Sequence, residues 1–119
     1  MRYQRQLGST GEEIVAQWLE QKGFAIRERN FCTRMGEVDL IVQKNDVLAF
    51  VEVKTRTNVF FPISSVITKG KQRKIIRAAK WFIVQNNIVD KVCRFDVAIV
   101  VYDNGQHHID YIENAFTRG

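Results

Sequence analysis

Three charged side chains lie in two neighbouring apolar segments of the chain. Asp39 lies in the first segment, and Glu52 and Lys54 lie in the second. A charge inside an apolar strand is costly unless it is paired or bound to a metal. Because Mg²⁺ binds oxygen ligands and keeps several waters, one or two carboxylates suffice to hold it. The sequence therefore predicts a Mg²⁺ or Mn²⁺ site at Asp39 and Glu52, with the backbone carbonyl of Val53 as a further ligand.

The two segments have the pattern of a β-hairpin. Residues 37–42 and 47–54 are rich in β-branched and apolar residues, and Lys44-Asn45-Asp46 separates them. Alternation along each strand predicts two sets that each share a face: Glu37, Asp39 and Ile41, and Phe50, Glu52 and Lys54. If the hairpin brings these faces together, Asp39, Glu52 and Lys54 converge within a few ångströms.

A lysine beside a metal and a phosphodiester has a distinct chemical role. Its ammonium group orients the attacking water and balances the charge that develops on the phosphate oxygens, while the metal lowers the pKa of that water. This is the arrangement of a phosphodiesterase. The alternative is that Asp39, Glu52 and Lys54 form an ion pair at the margin of a sheet, with no catalytic role.

The positive charge is concentrated in one part of the sequence. The chain has 18 Lys and Arg against 13 Asp and Glu, a net charge of +5. Residues 53–89 contain no acidic residue and carry +8, so the remainder carries −3. A basic surface of this kind suits DNA, although a solvated helix face is the alternative. The residues that we expect to contact phosphate are Arg56, Lys71, Arg73, Lys74, Arg77 and Lys80.

The order of predicted elements is α-β-β-β-α-β-β. Ser9-Thr10 with Glu12 and Glu13 predicts the start of a helix over residues 9–22 that ends at Gly23. Thr68 is the predicted cap of a second helix, which ends near Asn86. Most of its basic residues are predicted to lie away from its apolar face, and Lys71 at the margin of that face. The remaining predicted segments are strands at 24–31, 94–102 and 107–112, and a loop at 58–65 with the one proline. This order predicts an α/β domain with helices packed on a mixed sheet.

Length and composition exclude several classes of protein. A chain of 119 residues with 45% hydrophobic and 26% charged residues is typical of one globular domain, here residues 1–119. The longest apolar run, residues 97–101, is far too short to cross a bilayer, and no apolar segment follows the basic N-terminus. We therefore expect a soluble, cytoplasmic protein without membrane contact. Cys32 and Cys93 are widely spaced and are predicted to be reduced thiols.

Taken together, the motifs resemble the YraN family of small bacterial proteins and, more broadly, the PD-(D/E)XK nuclease superfamily. The resemblance extends from about Leu7 to Phe116. The matching stretches are Gly11-Glu12 with Ala16, Trp18-Leu19, Gly23-Phe24, Arg29-Asn30, Gly36 to Ile41, Phe50 to Lys54, Lys71 and Arg94 to Val97. One departure from the superfamily pattern is that Val38, and not proline, precedes Asp39.

The resemblance implies a restriction-endonuclease-like α-β-β-β-α-β core, similar to Holliday-junction resolvases. It places Asp39, Glu52 and Lys54 in the catalytic positions, and Glu12 in the place of a helix acid that assists metal binding. The alternative for Glu12 is a glutamate favoured by the helix dipole in the first turn. Relatives in this superfamily often act as pairs, so a homodimer is plausible.

Several other residues admit two interpretations. Glu37 is either an auxiliary ligand or a solvent-facing residue. Trp81 either packs on a neighbouring element or stacks on a base, and packing is favoured. Asp96 is expected to pair with an arginine near the sheet centre. His107 and His108 are adjacent on a strand, so their side chains diverge and a structural role is favoured.

These observations predict a metal-dependent endonuclease that binds branched or duplex DNA. One alternative is a nucleic-acid-binding or adaptor module that has the fold but no turnover. Another is a protein-interaction domain in which the charged residues of the hairpin are purely structural.

Overall fold

The computed structural model describes residues 2–57 and 67–117. Its elements are α1 (Arg2–Gln21), β1 (Ala25–Cys32), β2 (Glu37–Lys44), β3 (Val47–Arg56), α2 (Lys69–Gln85), β4 (Val92–Asp103) and β5 (Gln106–Phe116). The α/β class and the predicted order of elements are confirmed. The predicted loop at 58–65 lies outside the described residues. Among the described residues, no helix is both long and apolar enough to cross a membrane.

Helix α1 begins earlier than its sequence pattern predicts. It starts at Arg2, so Ser9 and Thr10 lie inside the helix and the predicted capping box is wrong. Residues 2–7 are mostly Arg, Gln and Leu, which are strong helix formers, so the helix extends through Gly8 rather than starting beyond it. The predicted end is confirmed, since Gly23 has a positive φ of 97° directly after the last turn.

The five strands form one mixed sheet in the order β1-β2-β3-β4-β5. Only the β3–β4 pair is parallel, and the other three neighbouring pairs are antiparallel. The predicted β2–β3 hairpin is confirmed: Lys44 pairs with Val47, and Asn45 adopts the left-handed conformation that a two-residue turn requires. Asn104 and Gly105 form the corresponding turn between β4 and β5.

A helix covers each face of the sheet, so the central strands are buried on both sides. On one face α1 packs through Val15, Ala16 and Leu19 against Leu40, Val42, Val51, Ala98 and Val100. On the other face α2 packs through Ile75, Ala78, Ala79 and Phe82 against Val38, Ile41, Phe50, Phe95 and Val97. Burial on both faces explains why β3 and β4 read as continuous apolar runs.

Helix α2 starts where the sequence predicts. The Thr68 hydroxyl accepts a hydrogen bond from the backbone N–H of Lys71 at 3.2 Å, and Asn86 caps the other end. The basic residues of α2 lie on its exposed side. The cap thus satisfies a free N–H group at the start of α2, while the cationic side of the helix faces solvent.

Candidate metal and nucleic-acid site

The site forms where strands β2 and β3 separate. Their pairing ends at Leu40 and Val51. Beyond this pair, the Asp39 side chain replaces the backbone as the partner of β3, and its Oδ2 accepts a hydrogen bond from the Val53 N–H at 2.8 Å. The carboxylate of Asp39 is thereby held in the opening between the two strands.

Strict alternation does not continue through Asp39. Val38 and Ile41 both pack into the core beneath α2, so the predicted shared face of Glu37, Asp39 and Ile41 is wrong. Opposite this stretch, Arg29 pairs with Leu40 and Phe31 with Val38 without a shift of register, and Asn30 between them has a positive φ of 52°.

Glu52 is the centre of the charged cluster. Its side chain is 8% exposed, and its Oε2 lies 3.3 Å from Lys54 Nζ and 3.5 Å from Lys71 Nζ. Asp39 interacts with the same carboxyl through charge and a shared hydrogen bond. The structure thus brings Asp39, Glu52 and Lys54 together, and it adds Lys71 to the group.

The two carboxyl groups repel each other strongly. Burial, followed by the charge of Glu52, raises the pKa of Asp39 to about 8, although the Val53 N–H opposes this shift. In the absence of a cation the pair therefore holds a proton near neutral pH. A divalent cation between the carboxylates would remove this repulsion, and two buried carboxylates suit the oxygen preference of Mg²⁺ and Mn²⁺.

The two lysine amines influence each other. Burial and then the neighbouring Lys71 lower the pKa of Lys54. The pKa of Lys71 is raised, chiefly by its hydrogen bond with Lys54 and also by the charge of Glu52. The sequence suggested only a phosphate contact for Lys71. The spacing carried a further signal: Lys71 lies four residues before the buried Ile75, so it lies on the margin of the helix face that packs on the sheet.

Glu12 lies near this cluster because α1 approaches β3 closely. A Cβ atom added at Gly11 would lie 2.9 Å from the Thr55 hydroxyl oxygen. Burial raises the pKa of Glu12, a hydrogen bond with Asn30 opposes that shift, and the charges of Glu37 and Glu52 add to it. Even so, the described part of the chain holds no group of three or more His, Cys, Asp or Glu side chains that could bind one ion. Glu12 is an electrostatic neighbour of the pair and does not complete a three-carboxylate centre with it.

A cleft of ≈ 470 Å³ opens beside the cluster. Its lining includes Glu37, Glu52, Lys71 and Lys74, together with residues 32–36 of the β1–β2 connection. This connection packs tightly on α2, since a Cβ atom at Gly36 would lie 2.6 Å from the backbone oxygen of Lys74. A glycine is therefore needed at this wall of the cleft.

The predicted phosphate-contacting residues differ in exposure. Lys71, Arg73, Lys74, Arg77 and Lys80 are exposed along α2. Arg56 is half-buried, and its guanidinium donates to the backbone oxygen of Thr55 at 2.8 Å. Trp81 is 48% exposed and lines a cleft with residues 32–35 of the β1–β2 connection, so about half of its surface faces solvent.

Asp96 has the structural role that the sequence predicts. It is fully buried and accepts hydrogen bonds from the Arg94 guanidinium at 3.0 Å, the Tyr111 hydroxyl at 2.6 Å and the Asn114 N–H at 3.1 Å. Cys32 and Cys93 are not joined by a disulfide. His108 lies 3.8 Å from Asp110, and the His107 ring contacts Tyr102.

The fold and site together define an α/β protein with a mixed sheet that carries a buried acid–lysine cluster beside a basic helix. The model of an uncharacterised protein family, UPF0102, matches residues 11–100. The chain belongs to this family, which confirms the predicted YraN resemblance.

Relatives in several bacteria match over nearly the whole chain. A UPF0102 protein of Pelobacter propionicus is 43% identical over 94% of this chain and 83% of its own length. Another, from Caldanaerobacter subterraneus, is 42% identical over 92% of this chain and 93% of its own length. A third, from Pelotomaculum thermopropionicum, is 38% identical over 92% and 94%.

Proposed function

We propose that this protein is a metal-dependent endonuclease that hydrolyses phosphodiester bonds of DNA. The observation that carries the proposal is the contact of Glu52 with Asp39, Lys54 and Lys71 at the start of a basic helix. The acid on one strand and the Glu-x-Lys on the next also support a PD-(D/E)XK, restriction-endonuclease-like core.

The proposed metal ligands are Asp39 and Glu52, with the backbone carbonyl of Val53 as a further oxygen. Glu12 assists them through its nearby negative charge and not as a third carboxylate ligand. Their charges favour a hard divalent ion such as Mg²⁺ or Mn²⁺. When bound, such an ion supplies Lewis acidity that lowers the pKa of a water and offsets charge on the phosphate. The Val53 N–H holds Asp39 in place, so this carboxylate needs little rearrangement on binding.

The two lysines supply the positive charge that the reaction requires. Lys54 is partly buried against Glu52, and its ammonium can donate to the attacking water and to a phosphate oxygen. Lys71 is half-exposed beside the same carboxylate, so it can contact the phosphate that enters from solvent. The buried carboxyl groups of Asp39 and Glu52 thus lie on the inner side of the site, and the exposed amine of Lys71 lies on the outer side.

The exposed basic residues of α2 are proposed to hold the DNA backbone. Lys71, Lys74 and Arg77 follow one another along the helix from the cleft outward. Contacts of this type bind phosphates without reading the sequence, and they weaken steeply with salt. Duplex or branched DNA is therefore the proposed substrate.

A nuclease assay tests this function directly. Purified protein is incubated with supercoiled plasmid, single-stranded DNA and a four-way junction, in Mg²⁺, Mn²⁺ or EDTA. The proposal predicts metal-dependent products that disappear in Asp39→Ala and Lys54→Ala but persist in Lys22→Ala, a matched control at an exposed lysine outside the proposed DNA-contacting residues. Salt-sensitive binding without any product would contradict the enzyme and favour a binding module.

A further inference from the structure

An exposed tryptophan lies on the same face of α2 as two basic residues. Positions 74, 77 and 81 are three and four residues apart, so their side chains share one helix face. Lys74 and Arg77 are exposed, and the Trp81 side chain is 48% exposed. A large aromatic surface therefore lies in water at the end of a row of positive charge.

The Trp81 ring lines a second cleft, which adjoins the acid–lysine cleft. This second cleft has a volume of ≈ 450 Å³ and is lined by Cys32, Thr33, Arg34, Met35 and Trp81. The same residues 32–35 also line the acid–lysine cleft. Both clefts therefore border the β1–β2 connection, so a ligand that crosses this connection would contact both.

We propose that Trp81 and Met35 bind an unstacked base of single-stranded DNA whose backbone continues toward Glu52 and Lys54. Base stacking on an exposed aromatic ring is a common mode of single-strand binding and tolerates any sequence. The inference rests on the proposed nuclease function and deepens it, because it assigns a single-stranded segment next to the cleaved bond.

Charge favours DNA over an apolar protein segment as the occupant. Arg34 lines the second cleft, and Lys74 and Arg77 are exposed on the face of α2 that carries Trp81. Among the described residues that line this cleft there is no carboxylate, whereas the cationic side chains suit a phosphate backbone. An apolar peptide would gain nothing from these charges.

The spacing along α2 sets the length of strand required. Lys71 and Trp81 are ten residues apart, which is about 15 Å of helix at 1.5 Å per residue. About four stacked nucleotides cover this distance at 3.4 Å each, and fewer do so in an extended strand. A single-stranded segment of about four nucleotides should therefore reach from the acid–lysine cleft to Trp81.

Fluorescence provides the first test, because the chain has two tryptophans. The Trp18→Phe variant leaves Trp81 as the reporter, and EDTA prevents cleavage. An oligo(dT) of about twelve nucleotides is expected to quench this fluorescence to saturation, whereas a duplex of the same length quenches it weakly. Absence of quenching by oligo(dT) would overturn the proposal.

Binding of labelled DNA, measured by anisotropy with Trp18 intact, provides the second test. Trp81→Ala is expected to weaken oligo(dT) binding about tenfold and duplex binding less than about twofold, while Trp81→Phe retains most of the affinity. Val84→Ala is the matched control, because Val84 is 72% exposed on the same helix. Equal losses for both DNA forms, or no loss, would overturn the inference.

These outcomes separate the inference from the proposed function. If the protein cleaves DNA but Trp81→Ala binds oligo(dT) like the wild type, only the inference fails. If Trp81 binds oligo(dT) selectively but no metal supports cleavage, the proposed nuclease fails instead.

Discussion

The Oδ2 atom of Asp39 accepts the backbone N–H of Val53 at 2.8 Å, at the point where β2 and β3 cease to pair. A side chain here replaces the backbone acceptor of a neighbouring strand. The carboxylate is consequently fixed beside Glu52, where burial and like charge raise its pKa to about 8. The hydrogen bond from Val53 to Asp39 stabilises the fold locally, whereas the repulsion between the Asp39 and Glu52 carboxylates destabilises it.

The first prediction concerns stability and pH. The pKa of Asp39 is about 8 in the folded chain and near the ordinary 3.8 in the unfolded chain, so the folded state binds the extra proton between these values. The resulting stabilisation is complete below about pH 4 and is lost as the pH rises through 8. Because of this contribution from Asp39, the free energy of unfolding measured with denaturant should be lower at pH 9 than at pH 6.

Asp39→Asn provides the matched variant for this pH dependence. Its side-chain oxygen can still accept from the Val53 N–H, but it carries no charge toward Glu52. We expect the metal-free variant to be more stable than the wild type at pH 9 by about 1–2 kcal/mol, with a smaller difference at pH 4. A less stable variant at pH 9 would show that the two carboxyls do not repel.

The second prediction separates the two lysines. Lys54→Ala should lower the cleavage rate by about 10²- to 10³-fold, because its charge acts at the reacting phosphate. Lys71→Ala should have a smaller effect on the rate. Since Lys71 lowers the pKa of Lys54, its removal should also shift the basic limb of the pH–rate profile to higher pH. An unshifted limb in Lys71→Ala would contradict the coupling, and Lys22→Ala, at an exposed lysine outside the DNA-contacting set, serves as the control.

The third prediction concerns the wall of the cleft. Gly36→Ala forces a Cβ atom to 2.6 Å from the Lys74 backbone oxygen, so we expect a loss of about 1–3 kcal/mol in unfolding free energy and weaker DNA binding. Gly70→Ala is the control, because its nearest neighbouring atom would be 3.9 Å away. That change should be neutral or stabilising by up to about 1 kcal/mol. Equal stability of the two variants would refute the close contact.

The fourth prediction separates structural from functional acids. Asp96→Ala leaves the Arg94 guanidinium without its buried partner and should cost about 3–5 kcal/mol. Tyr111→Phe removes one hydrogen bond to Asp96 and should cost about 1–2 kcal/mol. Tyr111→Phe should cleave and bind DNA like the wild type once folded. A specific loss of cleavage in this folded variant would place Asp96 in the functional site.

The local sequence pattern was sufficient to predict much of the fold and the cluster of Asp39, Glu52 and Lys54. Asn45 at a two-residue turn fixes the β2–β3 register, and this register brings Asp39 and Glu52 together. The start of α1 was mispredicted because a plausible capping box lies inside a run of good helix formers. The contact of Lys71 with Glu52 depends on how α2 packs on the sheet, which no local pattern encodes.

Other site features depended on long-range packing as well. The break in alternation that puts Val38 and Ile41 on the same face of β2 has no signal in the sequence pattern. The exposure of Trp81 also depends on which elements reach that side of α2. Composition identified the charged helix, while tertiary structure decided which of its residues enter the site.

Calorimetric titration of Mn²⁺ into the metal-free protein tests the central claim most directly. We expect saturable binding by the wild type and by Lys80→Ala, and a loss of at least about tenfold in affinity for both Asp39→Asn and Glu52→Gln. Binding that is absent at millimolar Mn²⁺, or equal in all four proteins, would contradict a metal site between these two carboxylates.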